Sequence, residues 1–149
     1  MLDLLCAIAS IANSNFYHPL MKTVINQVPN GPKAGGPYTL GVISEGKLLF
    51  VAGQGPFNPK TGKFERGTIT EQTELTLNNV KAIVEAAGGK MENAVSCRVY
   101  LQPLDTQTFE QMNNVYKKFW GPNPPVRTTG GSQLLNIDVE IDCIVALDK

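Results

Sequence analysis

Val95-Ser-Cys-Arg-Val-Tyr-Leu101, followed after three residues by Asp105-Thr-Gln-Thr-Phe-Glu-Gln-Met-Asn-Asn-Val-Tyr-Lys-Lys-Phe119, changes its hydrophobic period from two to about 3.6 within one stretch. Val95, Cys97, Val99 and Leu101 alternate with Ser96, Arg98 and Tyr100, which predicts a strand with one buried face. Phe109, Met112, Tyr116 and Phe119 form one stripe of a helix that Asp105 or Thr106 can cap and Gly121-Pro122 ends. Toward the N-terminus a second helical pattern starts near Thr70. Leu77, Val80, Ile83, Val84 and Ala87 carry it, Glu71 and Glu74 sit where the helix dipole favours acids, and Gly88-Gly89 stops it. Val24 to Gln27, Tyr38 to Ile43 and Lys47 to Ala52 read as strands, the last two joined as a hairpin through Ser44-Glu45-Gly46. The Asn30 to Pro37 run is loop, and Pro59-Lys-Thr-Gly62 is a turn. After the second helix come strands at 126–134 and 137–146, folded back on each other about Leu135-Asn136. The order β-β-β-α-β-α-β-β predicts a single α+β domain, a mixed sheet of about six strands with two helices on one face. The other face is left for solvent or another subunit, and this reading puts Arg127 on it.

At 149 residues and 42% hydrophobic composition the chain holds one domain with a core of useful size. Thirteen basic and thirteen acidic side chains cancel, so the overall charge expected of a protein whose main partner is a phosphate backbone is missing. Nucleic acid is accordingly an unlikely partner. Cys6, Cys97 and Cys143 have neither metal-ligand spacing nor an even count, and His18 is the single histidine. Those features predict no metal site and a reducing, cytoplasmic compartment, with Cys97 and Cys143 as small buried hydrophobes. Leu2 to Ala12 is nearly apolar but too short to span a bilayer, and no Lys or Arg occurs before Lys22. Residues 1–20 are expected to be an N-terminal extension, and residues 21–149 the domain; no membrane association is expected.

Arg127 follows Gly121-Pro-Asn-Pro-Pro-Val126, a proline-stiffened loop that delivers a planar fork of donors to the start of a strand. Such a fork matches a carboxylate, and the stiff anchor limits the entropy lost on binding. The competing reading is a cross-strand ion pair with Asp142. If Leu134 faces Ile137 across a two-residue turn, then Gly131 faces Glu140, Thr129 faces Asp142 and Arg127 faces Ile144. Arg127 and Glu140 then share a face, roughly 13 Å apart along the sheet. One chain cannot grip a small molecule with both. Taken by itself, Glu140 reads as a solvated strand position. Asn113 lies on the flank of the second helix's stripe, where its amide needs partners. Tyr38 reads as a core aromatic and Gly53 as a strand-end glycine.

Gly36-Pro37-Tyr38, Val51-Ala-Gly-Gln54-Gly-Pro-Phe-Asn-Pro59-Lys-Thr-Gly62, the Phe109 to Phe119 segment, Pro125-Val-Arg127 and Val139-Glu-Ile141 together resemble the reactive intermediate deaminase family (RidA/YjgF, also called L-PSP), from about Met21 to the C-terminus. The resemblance implies a chorismate-mutase-like domain assembled as a homotrimer with ligand pockets between neighbouring chains. It also implies pocket roles for Tyr38, Gly53, Asn113, Arg127 and Glu140, and backbone hydrogen bonding near Gly53 and Thr129. Two positions depart from the pattern: Ala52 stands where archetypal members carry serine, and Thr129 where they carry cysteine. The spacing from arginine to glutamate is also two residues shorter.

The expected activity is cofactor-free hydrolysis of small imines, of the kind formed from 2-aminoacrylate or 2-iminobutyrate, to 2-oxo acids and ammonia. Arg127 and Glu140 would be catalytic; Tyr38, Gly53, Asn113 and Thr129 would bind substrate. The alternatives are an endoribonuclease or translation inhibitor of the L-PSP type and a non-catalytic binder of small carboxylates.

Overall fold

The computed structural model describes residues 22–29 and 31–148, so residues 1–20 lie outside it. Its elements are β1 (Lys22–Ile25), β2 (Gly41–Ser44), β3 (Lys47–Gln54), β4 (Phe57–Asn58), β5 (Lys63–Phe64), α1 (Ile69–Ala86), β6 (Ala94–Leu101), α2 (Thr106–Trp120), β7 (Val126–Gly131) and β8 (Val139–Leu147). Both helices start where side chains can satisfy their free amides. Thr68 and Glu71 form a reciprocal capping box on α1, and Asp105 with Thr108 does the same on α2. Gly121, at φ 64°, ends α2 in the left-handed region that glycine tolerates.

The central sheet runs β3-β8-β6-β7. β8 is antiparallel to both β3 and β6, whereas β6 and β7 are parallel. The sheet is therefore mixed, as expected, and the two helices share one of its faces. Two of the six strands expected in it form a separate ribbon, β1 with β2, and β4 with β5 makes a further small hairpin. Ser44-Glu45-Gly46 consequently carries the chain from the ribbon to the sheet instead of closing a hairpin.

The expected hairpin between the last two strands is not formed. β6, α2 and β7 make a strand-helix-strand unit, and a helical crossover returns the chain parallel to the strand it left. β6 thus separates β7 from β8, and β8 gains ladder partners on both sides. Val139, Ile141, Cys143 and Val145 point into the helices, where they pack with Leu77, Val80, Val84, Val99, Leu101, Met112 and Tyr116. Along β6 the same alternation buries Cys97, Val99 and Leu101 and leaves Arg98 and Tyr100 on the open face. That face also carries Phe50, 70% exposed.

Candidate functional site

Arg127 lies on the helix side of the sheet, not on the open face. It is level with Cys97 across the parallel β6–β7 pair, so both side chains point at α2. Its Nη1 donates to Asn113 Oδ1 at 2.7 Å and lies 3.9 Å from Met112 Sδ. Because a guanidinium only donates, the contact fixes the Asn113 amide with its oxygen toward Arg127 and its NH2 turned away. The guanidinium carbon is 4.8 Å from the Tyr116 ring centre, 5.5 Å from Phe109 and 5.6 Å from Tyr38. Three electron-rich rings stabilise the cation without neutralising it.

No carboxylate reaches Arg127 among the described residues. Asp142, the candidate for a cross-strand pair, is taken by Arg98, whose Nε and Nη2 both lie 2.8 Å from Asp142 Oδ2. Burial lowers the pKa of Arg127 from its usual value; the nearby Tyr116 and Tyr38 oppose that shift. A part-buried cation with aromatic walls and free donors has the chemistry to hold an anion.

Tyr38 is held over Arg127 by the tight Gly35-Gly36-Pro37 approach, in which Tyr38 Oη accepts from the Gly35 amide at 3.1 Å. Thr129, two residues beyond Arg127, points to the same side, level with Val99. Its Oγ1 is buried and has no hydrogen-bond partner among the described residues. Tyr38, Asn113, Arg127 and Thr129 thus gather along β7, at the edge of the sheet.

Glu140 and Gly53 form a second group. Glu140 is level with Tyr100 on the open face. β3 has a bulge between Val51 and Gln54, and Gly53 sits in it. A Cβ on Gly53 would stand 2.5 Å from Glu140 Oε1, so only glycine lets the carboxylate lie against the strand there. Gly53→Ala is therefore expected to displace the Glu140 carboxylate and to lower any activity that uses it by about tenfold, with little change in Tm, since a flexible side-chain end can move. Parallel thermal melts and kinetics check this.

The β8 entrance that carries Glu140 is fixed from α1. Gln72, buried, donates to Asp138 Oδ2 at 2.8 Å and accepts from the Asp138 amide at 2.8 Å, while its Nε2 also donates to Gly67 O. Sequence reasoning missed this clasp, because a glutamine within an amphipathic pattern looks like a surface residue. It also placed Phe109 and Tyr116 in the core stripe alone. The signal that could have assigned them was the parallel β6-α2-β7 connection, which brings α2 over the start of β7.

The observed strand order replaces the separation argued from a hairpin. Arg127 and Glu140 lie two strands apart and three residue levels apart, about 14 Å between Cα positions, on opposite faces. One chain still cannot close both on one small molecule.

The family model described as Endoribonuclease L-PSP matches residues 28–147. The chain belongs to that family, the RidA/YjgF family. A RutC family protein of Pyrococcus horikoshii is 42% identical over 122 residues, covering 82% of this chain and 94% of its own. The mitochondrial protein mmf2 of Schizosaccharomyces pombe is 38% identical over 117 residues, covering 75% and 89%. Among solved structures, the YjgF gene product of E. coli is 32% identical with a TM-score of 0.62, covering 83% of this chain and 98% of its own. The Rid family protein YyfB of Yersinia pestis, 22% identical, has a TM-score of 0.76 over 85% of this chain and 99% of its own, a likeness of fold. Among the described residues no helix is long and apolar enough to cross a membrane, and no group of His, Cys, Asp and Glu side chains could hold a metal ion.

Proposed function

We propose that this L-PSP family member hydrolyses small imines bearing an α-carboxylate, in pockets shared between the subunits of a homotrimer. The observation that carries the reading is Arg127: a part-buried guanidinium, walled by Tyr38, Phe109 and Tyr116, oriented by Asn113 and left without a carboxylate partner among the described residues. The substrate's carboxylate takes the donors that Asn113 leaves free. The imine carbon is already electrophilic, so no nucleophilic side chain is required; the protein supplies orientation and a positioned water. Glu140 of a neighbouring chain accepts a proton from that water as its oxygen bonds to the imine carbon. Glu140 returns that proton to the imine nitrogen, and the carbinolamine then collapses to the ketone as its hydroxyl proton passes to the departing amino nitrogen, giving a 2-oxo acid and ammonia. The Thr129 hydroxyl, buried without a partner among the described residues, and the backbone near Gly53 supply further hydrogen bonds.

The same layout supports assembly into a trimer. Phe50 and Ile144, level with each other on the open face, have no helix to cover them, and the face also carries Glu140. The family description also favours a second reading, an endoribonuclease. The described residues contain no histidine to act as the usual acid or base of RNA cleavage.

The test is to generate 2-iminobutyrate in place and to measure 2-oxobutyrate and ammonia, beside the same imine with its carboxylate converted to an amide. Acceleration only of the acid supports the reading. Equal or absent acceleration for both, or RNA cleavage as the sole activity, contradicts it.

A further inference from the structure

Cys97 and Cys143 are free thiols opposite each other on adjacent antiparallel strands, β6 and β8, with their sulfurs 3.1 Å apart. Directly opposed residues in such a pair have Cα atoms about 4.5 to 5.5 Å apart, inside the range that a disulfide spans. Bond formation needs the sulfurs to approach by roughly 1 Å. We propose that these two thiols form a reversible cross-strand disulfide, and that closing it alters the aromatic wall behind Arg127.

The second half of the proposal rests on where Cys97 lies. It is level with Arg127 on β7, and the phenol of Tyr116, whose ring is the nearest of the three to the guanidinium, packs beside it. Apart from the Cys97 thiol beside it, the Tyr116 hydroxyl has no hydrogen-bond partner among the described residues, so its ring is positioned by packing and follows its neighbours. Drawing Cys97 Sγ toward β8 opens space under that ring.

Both thiols are buried, so the oxidant must be small, and hydrogen peroxide is the class that fits. One sulfur attacks a peroxide oxygen, giving a sulfenic acid and water. The second sulfur then displaces the sulfenic hydroxyl as a second water. Two thiol hydrogens and one peroxide become one S–S bond and two waters. Hydrogen bonding with Cys97 and burial push the Cys143 thiol up, and the buried Lys22 ammonium, which donates to Ala94 O at 2.7 Å, partly opposes this. Oxidation is consequently slow at neutral pH and faster as the pH rises.

The experiment uses the full chain carrying Cys6→Ser, so that only the two core thiols remain. It is treated with graded peroxide, denatured, alkylated and mapped by mass spectrometry. Emission of Trp120, the single tryptophan, whose ring centre is 5.7 Å from that of Tyr116, is followed in parallel. The expected result is joint loss of both thiols, one cross-linked peptide pair lighter by two hydrogens, full reversal by dithiothreitol, and a change in Trp120 emission at the rate of cross-linking. Thiols that stay fully alkylatable, or that oxidise separately to sulfinic acids, overturn the disulfide. A cross-link formed with unchanged Trp120 emission overturns the coupling to the wall. None of these readouts depends on whether an imine is the substrate.

Discussion

Lysine in place of Arg127 is expected to lower kcat/KM for imine hydrolysis by about a hundredfold while the fold survives. Lysine keeps the charge and much of the stem. It loses the planar fork that donates to Asn113 at 2.7 Å and still has donors for a carboxylate. The loss of one charge-assisted bidentate contact is about 2 to 3 kcal/mol, which converts to that factor. Because the guanidinium has no carboxylate partner among the described residues to leave stranded, the substitution should cost little stability. Kinetics with a melting curve for each variant separate the effects. Equal kinetics in the two proteins would make Arg127 a structural residue.

The largest expected effect on stability lies under the same guanidinium. Tyr116 is fully buried, packs on Trp120 and fills the space between α2 and the sheet. Tyr116→Ala removes an aromatic ring from a packed core and is expected to cost about 3 to 5 kcal/mol. Tyr116→Phe keeps the ring and deletes a buried hydroxyl that has no partner among the described residues beyond the weak Cys97 thiol beside it, so it should stay within about 1 kcal/mol of the parent. Denaturant unfolding of the three proteins checks both values. A loss in the Phe variant close to that of the Ala variant would mean that the hydroxyl is bonded in solution.

The longer strands and the helices were legible because they are amphipathic over several periods: β6 alternates from Cys97 to Leu101, beyond an irregularity at its Ala94–Ser96 start, and α2 keeps one apolar stripe from Phe109 to Phe119. Pairing was less legible. Two strand patterns separated by a few turn residues look like a hairpin, and Leu135-Asn136, with Asn136 at φ 60°, has the local chemistry of a turn. What decides the pairing is non-local, since β8 gains two ladders by inserting between β3 and β6. The face of Glu140 followed correctly from the alternation of β8, whereas the face of Arg127 was derived from the wrong partner strand. The two-residue strands β4 and β5 are too short to carry a period. Arg127, Asn113 and Tyr38 do come together, as do Gly53 and Glu140, but the aromatic wall was hidden because Phe109 and Tyr116 serve the core and the site at once.

In the proposed trimer each pocket takes its arginine from one chain and its glutamate from another, and subunit mixing is the decisive test. Arg127→Ala and Glu140→Ala chains, each expected to be nearly inactive alone, are denatured together, reassembled and assayed for imine hydrolysis. Mixed assemblies contain pockets with both residues intact, so activity should reappear on mixing and should be absent when each variant is reassembled alone. Mixed assemblies that form, as shown by native mass spectrometry, yet remain as inactive as their parents would contradict the shared pocket.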